Sequence, residues 1–261
     1  MLNAAENILE KLNTIPVDQQ GPAALAILKN FYLSDFFWFA KYFLGYKDLE
    51  KEVHGQFVKV FESNATRKIV VMPRGSFKSS LGSVAYPCIK LLRNPDATIF
   101  LSSELYTNSK NFLREIKGHF QSDKMVRTFG EQVGATWGEA EIIIKTRQRN
   151  RKEASITVGG IETIKVGCHY DIIICDDLNS PTNSDTPEKC QKVIDYVKYL
   201  MSILNPDGEL VIIATRYSER DVVGWLLSEV LGEKYLAEGK MKMVGEHERD
   251  NADEGIEGLG G

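Results

Sequence analysis

The chain lacks what several function classes require. Its 261 residues include only four cysteines, and Cys88, Cys168, Cys175 and Cys190 show no C-x-x-C spacing. That argues against a disulfide framework or a zinc ribbon and fits reduced packing residues of a cytosolic protein. Long apolar runs are missing too. The strongest cluster, "FFWFA" from Phe36, is far too short to span a bilayer, so no membrane partner is expected. The opening "MLNAAENILEKLN" carries Glu6 and Glu10 without an extended apolar core, and does not read as a signal peptide. Excess positive charge is also absent. With a net charge of −4, any nucleic-acid contact must come from a local patch. No internal repeat is evident.

What the chain has is an alternation of two periods. Helices are expected over residues 3–13 and 22–44, with Ser34 or Asp35 able to cap a short aromatic helix that Gly45 stops. "GQFVKVFES" continues as helix. Then come "RKIVVMP" as a buried strand and "KSSLGSVAYPCIKLLRN" as a helix bent or broken near Pro87. "ATIFLSS" reads as strand and "TNSKNFLREIKGHFQS" as helix. "EIIIKTR" and "ASITVGG" read as strands flanking a basic turn. "YDIIICDD" is a strand ending in acid, "PEKCQKVIDYVKYLMSIL" a helix, "GELVIIATR" a strand after the turn "NPDG", and "SERDVVGWLLSEVL" a helix. Continuous Ile/Val/Leu strands alternating with helices predict an α/β fold, its mainly parallel central sheet covered on both faces. The basic turn marks an antiparallel insertion. The expected organisation is a helical N-terminal segment over 1–58, a core over 59–244, and an acidic Gly-rich tail or linker stub over 245–261.

The chemistry is concentrated in "IVVMPRGSFKSSLGS". A phosphate loop needs backbone N–H groups converging on phosphate, a helix starting there, and a lysine reaching the terminal phosphates. Here a strand precedes the loop, Lys78 is the lysine, and Ser79 offers a hydroxyl for Mg²⁺. Gly75 gives one permissive backbone position and Arg74 a second cation. Ser76, Phe77 and Ser80 complete the loop. The usual consensus has glycine where Met72 and Phe77 stand. The loop is not alone, however. "DIIICDDLNSP" delivers Asp176 and Asp177 to a strand end, where Asp176 would hold Mg²⁺ and Asp177 would accept a proton from the attacking water or orient it. Glu104 and Asp185 are reserve candidates for that carboxylate. "GELVIIATRYSERDVVGWLL" ends a third strand in Thr215-Arg216, a tip suited to sensing the γ-phosphate.

These three elements, in this order, resemble the ATPase domain of phage terminase large subunits, the DNA-packaging motors. The likeness rests on "MPRGSFKSS", "IIICDD" and "IIATRYSERDVVGWLL", and spans residues 35 to 230 by motif order. The resemblance implies a three-layer P-loop NTPase fold of the RecA-like, additional-strand class, with ATP and Mg²⁺ as ligands. It implies that Thr215 and Arg216 couple hydrolysis to motion, and that "FLGYKDLEKEVHGQF" offers Tyr46, His54 and Gln56 on the adenine side. It further implies double-stranded DNA, a procapsid portal ring and a terminase small subunit as partners, with ring assembly on the portal by a chain that is monomeric when free. The implied setting is the cytoplasm of an infected bacterial host. The family carries a nuclease after the ATPase, and the acids for one are not seen here. Other P-loop NTPases, such as a helicase-like translocase, and a degenerate nucleotide-binding scaffold remain alternatives.

Two segments stay open. "KTRQRNRKEA" places Arg147, Arg149 and Arg151 in or beside a turn. They can contact DNA phosphate, reach a neighbouring subunit's ATP, or be a solvated hairpin. Lys165, in "VGGIETIKVG", is another candidate to act on a neighbour.

Overall fold

The apolar runs lie side by side in one eight-stranded sheet. The computed structural model describes residues 21–163, 167–218 and 220–227, and the backbone of 241–244. The expected helix over 3–13, the tail over 245–261 and Lys165 fall outside them. The strands are β1 (Arg67–Val71), β2 (Ile99–Ser103), β3 (Val133–Trp137), β4 (Glu141–Ile144), β5 (Ile156–Gly160), β6 (Tyr170–Asp176), β7 (Leu204–Ala214) and β8 (Met241–Val244). Their spatial order is β3-β4-β5-β2-β6-β7-β1-β8. From β5 to β8 every neighbouring pair is parallel, whereas β3–β4 and β4–β5 are antiparallel.

Both faces of the parallel part are covered, which is why its strands read as unbroken apolar runs. Val70, Ile172, Ile174, Val211 and Ile213 face one core. Their chain neighbours Ile69, Ile173, Cys175, Leu210 and Ile212 face the other. On the first face pack α1 (Pro22–Ser34), α2 (Phe36–Trp38), α3 (Lys51–Glu62), α4 (Tyr86–Arg93), α5 (Tyr106–Gln121) and α6 (Asp123–Phe129). On the second pack α7 (Pro187–Ser202) and α8 (Val222–Trp225). The result is a three-layer α/β fold. Leu28, Tyr32, Phe36, Phe39 and Phe57 share the first core with Val70, and residue 58 lies inside α3.

One expectation within residues 22–44 is met, that of a cap at Asp35 opening a separate aromatic helix. Asp35 adopts an extended conformation and its carboxylate accepts from the Trp38 N–H at 3.1 Å, so a second helix starts there and passes into a π-turn over Phe39–Phe43. Other local expectations are corrected. The helix after the phosphate loop does not break at Pro87. A π-helical stretch, Ser80–Ala85, runs directly into α4, and the change of helix type lies beside Pro87, which has no N–H to give to the helical ladder. "NPDG" lies within β7 as a bulge: Tyr170 faces Leu204, but Ile172 already faces Glu209. Strands β3 and β8 and helix α6 were not anticipated.

Candidate functional site

The carboxyl ends of the parallel strands converge on one cavity of about 600 Å³. Strand β7 stands between β1, which feeds the phosphate loop, and β6, which carries the acids. Its tip therefore touches both. Met72 N–H donates to the Ala214 carbonyl at 3.1 Å, and Asp177 N–H to the Ile213 carbonyl at 2.8 Å. Thr215 N–H donates to Asp177 Oδ1 at 2.9 Å, and Thr215 Oγ1 reaches the Met72 carbonyl at 3.5 Å.

The loop holds its shape despite the missing glycines. Gly75 has φ of 82° and Phe77 φ of 56°. A left-handed non-glycine residue costs roughly 1–2 kcal/mol, so something must hold it there. The half-buried Phe77 side chain packs against the first core, edge-to-face with His54 at 5.5 Å between ring centroids. His54 is in turn fixed by the Glu50 N–H, which donates to Nδ1 at 2.9 Å. Ser76 Oγ donates to the Pro73 carbonyl at 2.8 Å and closes the turn. Gly82 lets the following helix lie against the sheet: a Cβ there would come within 2.2 Å of Ile213.

Loop and acids meet directly. Lys78, only 4% exposed, donates to Asp177 Oδ2 at 2.5 Å. Ser79 Oγ donates to Asp176 Oδ1 at 3.1 Å and Ser83 Oγ to Oδ2 at 2.6 Å. Asp176 is 1% exposed, and burial pushes its carboxyl up to about 6 even though both serines stabilise the charged form. Asp177 also has positive φ, 42°. Ser79 and Asp176 suit Mg²⁺, which takes one or two protein oxygens and completes its shell with phosphate and water. Among the described residues no group of three or more His, Cys, Asp or Glu could hold a metal on protein ligands alone.

The same cavity is lined by Arg74, Gly75, Ser76, Phe77, Ser80 and Glu104, and by Asn108, Asn179, Ser180 and Tyr217. The last four, and Ser83, escaped the sequence reading. Asn179-Ser180 could have been suspected, since they directly follow the acids. Tyr217 follows Arg216, yet it is Tyr217 that engages the loop: Arg74 donates to its hydroxyl at 2.7 Å. Arg216 is exposed.

Other predicted residues lie elsewhere. Tyr46 donates to Glu115 at 2.7 Å, Gln56 is exposed on α3, and neither lines the cavity. His54 does not line the cavity but packs against Phe77, which does. Arg151 pairs with Asp171 at the start of β6, while Arg147 donates to the Glu153 carbonyl at 2.8 Å. Gln148 and Arg149 N–H groups donate to Asp96, just before β2. The basic turn thus sits at the amino ends of the parallel strands, opposite the phosphate loop. Arg149 has the exposed side chain of the three, 78% accessible.

No protein-family model and no curated protein matches the chain. Solved structures do. A variant of S. cerevisiae Dbp5, bound to a Gle1 variant and IP6, is similar at a TM-score of 0.51 and 11% identity, over 83% of this chain and 52% of that one. The likeness is one of fold, a three-layer α/β arrangement. The large terminase of the thermophilic bacteriophage D6E is similar at a TM-score of 0.43 and 9% identity, over 83% of this chain and 44% of that one. The chain spans about half the length of these two chains. Among the described residues, no helix is long and apolar enough to cross a membrane.

Proposed function

We propose that this chain is the ATPase of a nucleic-acid motor of the terminase large-subunit type, hydrolysing ATP to drive double-stranded DNA into a procapsid. The observation that carries the ATPase reading is the meeting of Lys78 and Ser79, which follow β1, with Asp176 and Asp177 at the end of β6, two parallel strands separated by β7. The motif order supports the terminase reading. Portal ring, small subunit, ring assembly and host cytoplasm belong to the same proposal.

Each residue has a physical task. Lys78 offers a point charge to the terminal phosphates and, having three donors, can keep Asp177 as a partner as well. Ser79 and Asp176 would hold Mg²⁺, which neutralises charge across the phosphate oxygens. Arg74 borders the cavity and can stabilise charge on the γ-phosphoryl group from within the same chain. Asp177 ties Lys78 to the tip of β7, so loss of the γ-phosphate changes a contact that β7 senses.

A helicase-like translocase is the second reading, favoured by the similarity to Dbp5. Mg²⁺-dependent ATP hydrolysis, measured across protein concentrations with duplex DNA or RNA added, separates them. Turnover lost in Lys78→Ala and raised by duplex DNA or by self-association supports the packaging motor. Stimulation by RNA with strand separation favours the helicase-like reading. Lys78-dependent nucleotide binding without hydrolysis indicates a scaffold.

A further inference from the structure

Hydrolysis is aided by a group that orients the attacking water, and a carboxylate can also take its proton, but Asp177 is poorly free to serve. Both of its oxygens are engaged, Oδ2 by Lys78 at 2.5 Å and Oδ1 by the Thr215 N–H at 2.9 Å. Its own N–H is bonded to β7, and its φ of 42° fixes the side chain's direction. Its short side chain cannot swing far from that strand.

A second carboxylate faces the same space. Glu104 follows the end of β2, next to β6 on the side away from β7. It lines the cavity together with Lys78, Ser79 and Asp177. Ser180 Oγ donates to its Oε1 at 2.6 Å, and the Ile161 N–H donates to its backbone carbonyl at 3.4 Å, so backbone and side chain are both held. The Ser180 bond fixes the carboxylate through Oε1. Asp185, the other acid weighed from the sequence, is exposed, pairs with Lys189 at 2.9 Å, and does not line the cavity.

We propose that Glu104 is the carboxylate that orients the attacking water and takes its proton, with Ser180 as its positioning residue. This rests on the ATPase reading above. In the step, the water oxygen forms a bond to the γ-phosphorus. The bond from that phosphorus to the bridging oxygen breaks, its electron pair leaving with ADP. The proton of the water passes to Glu104 and from there to the phosphate product. Asp177 is left as the link between Lys78 and β7.

The test pairs steady-state hydrolysis with binding of a fluorescent ATP analogue, for the parent, Lys78→Ala, Glu104→Gln, Glu104→Asp and Ser180→Ala. General-base removal typically costs about 10²–10⁴-fold in rate. Expected are a loss in that range for Glu104→Gln with affinity within about threefold of the parent, a smaller loss for Glu104→Asp, and a partial loss in kcat for Ser180→Ala. Parent-like turnover in Glu104→Gln while Lys78→Ala is inactive would overturn the assignment and leave the ATPase reading standing. Loss of analogue binding in Glu104→Gln would also overturn it, making Glu104 a binding residue. A parent that neither binds nor hydrolyses ATP would overturn both.

Discussion

The Phe77 ring stands edge-on to His54, at an interplanar angle of 85°. This contact explains how a phosphate loop keeps its form with phenylalanine where glycine is usual. The ring anchors the left-handed residue to α3, and α3 is anchored to the sheet. His54→Ala should therefore act at two levels. Losing the aromatic contact and the Glu50 hydrogen bond should lower stability by about 1–3 kcal/mol in urea unfolding. It should also weaken nucleotide affinity, because the loop is no longer pre-shaped.

The half-buried Lys78–Asp177 pair gives a second prediction. Lys78→Ala should abolish hydrolysis while far-UV circular dichroism stays that of the parent, since Asp177 retains the Thr215 N–H and is partly open to water, 34% exposed in its side chain. Near-normal turnover in a folded Lys78→Ala protein would remove the loop from the site.

Asp176 sets a pH dependence. Its carboxyl is raised from 3.8 to about 6 by burial, so between those values the folded chain holds more proton than the unfolded one. Stability should fall as pH rises through that window and stay lower above it. In chelator, Asp176→Asn should be more stable than the parent at pH 7 by about 1–3 kcal/mol, a gain that disappears below about pH 4. Paired urea titrations at several pH values measure this. A neutral-pH gain in stability with loss of Mg²⁺-dependent nucleotide binding is the expected signature.

The arginines of the basic turn should separate. Arg151→Ala breaks a half-buried pair with Asp171, which also accepts from Thr98 and Asn205, and should destabilise by about 1–3 kcal/mol. Arg149→Ala should leave stability within about 0.5 kcal/mol. If the turn meets nucleic acid, Arg149→Ala should weaken binding and reduce the salt slope by about one. Thermal melts and binding isotherms at several salt concentrations check both.

The parallel core and the loop–acid pairing were legible because burial on two faces writes an unbroken Ile/Val/Leu run, and the site sits where such runs end. "VGATW" was not legible as β3, being half-exposed at the sheet edge with no strong period. Tyr217 and Ser180 were missed because their partners, Arg74 and Glu104, lie far away in the chain and only folding brings them near. The arginines of the turn read as free cations because their partners, Asp96 and Asp171, lie on other elements. Tyr46 suited the adenine side by position in the chain, but in space it answers to Glu115 on α5.

The place of β7 between the loop strand and the acid strand has a mechanical consequence. What joins Asp177 to β7 is main-chain atoms: the Thr215 N–H and the Ile213 carbonyl. A signal carried by main chain does not depend on which side chain stands at the tip. Thr215 should tolerate Ser, Val or Ala with coupling largely intact, whereas proline, which has no N–H to give, should uncouple hydrolysis from movement. The lever of this machine would then be written in peptide bonds, and residue identity at the tip would tune its grip without creating it.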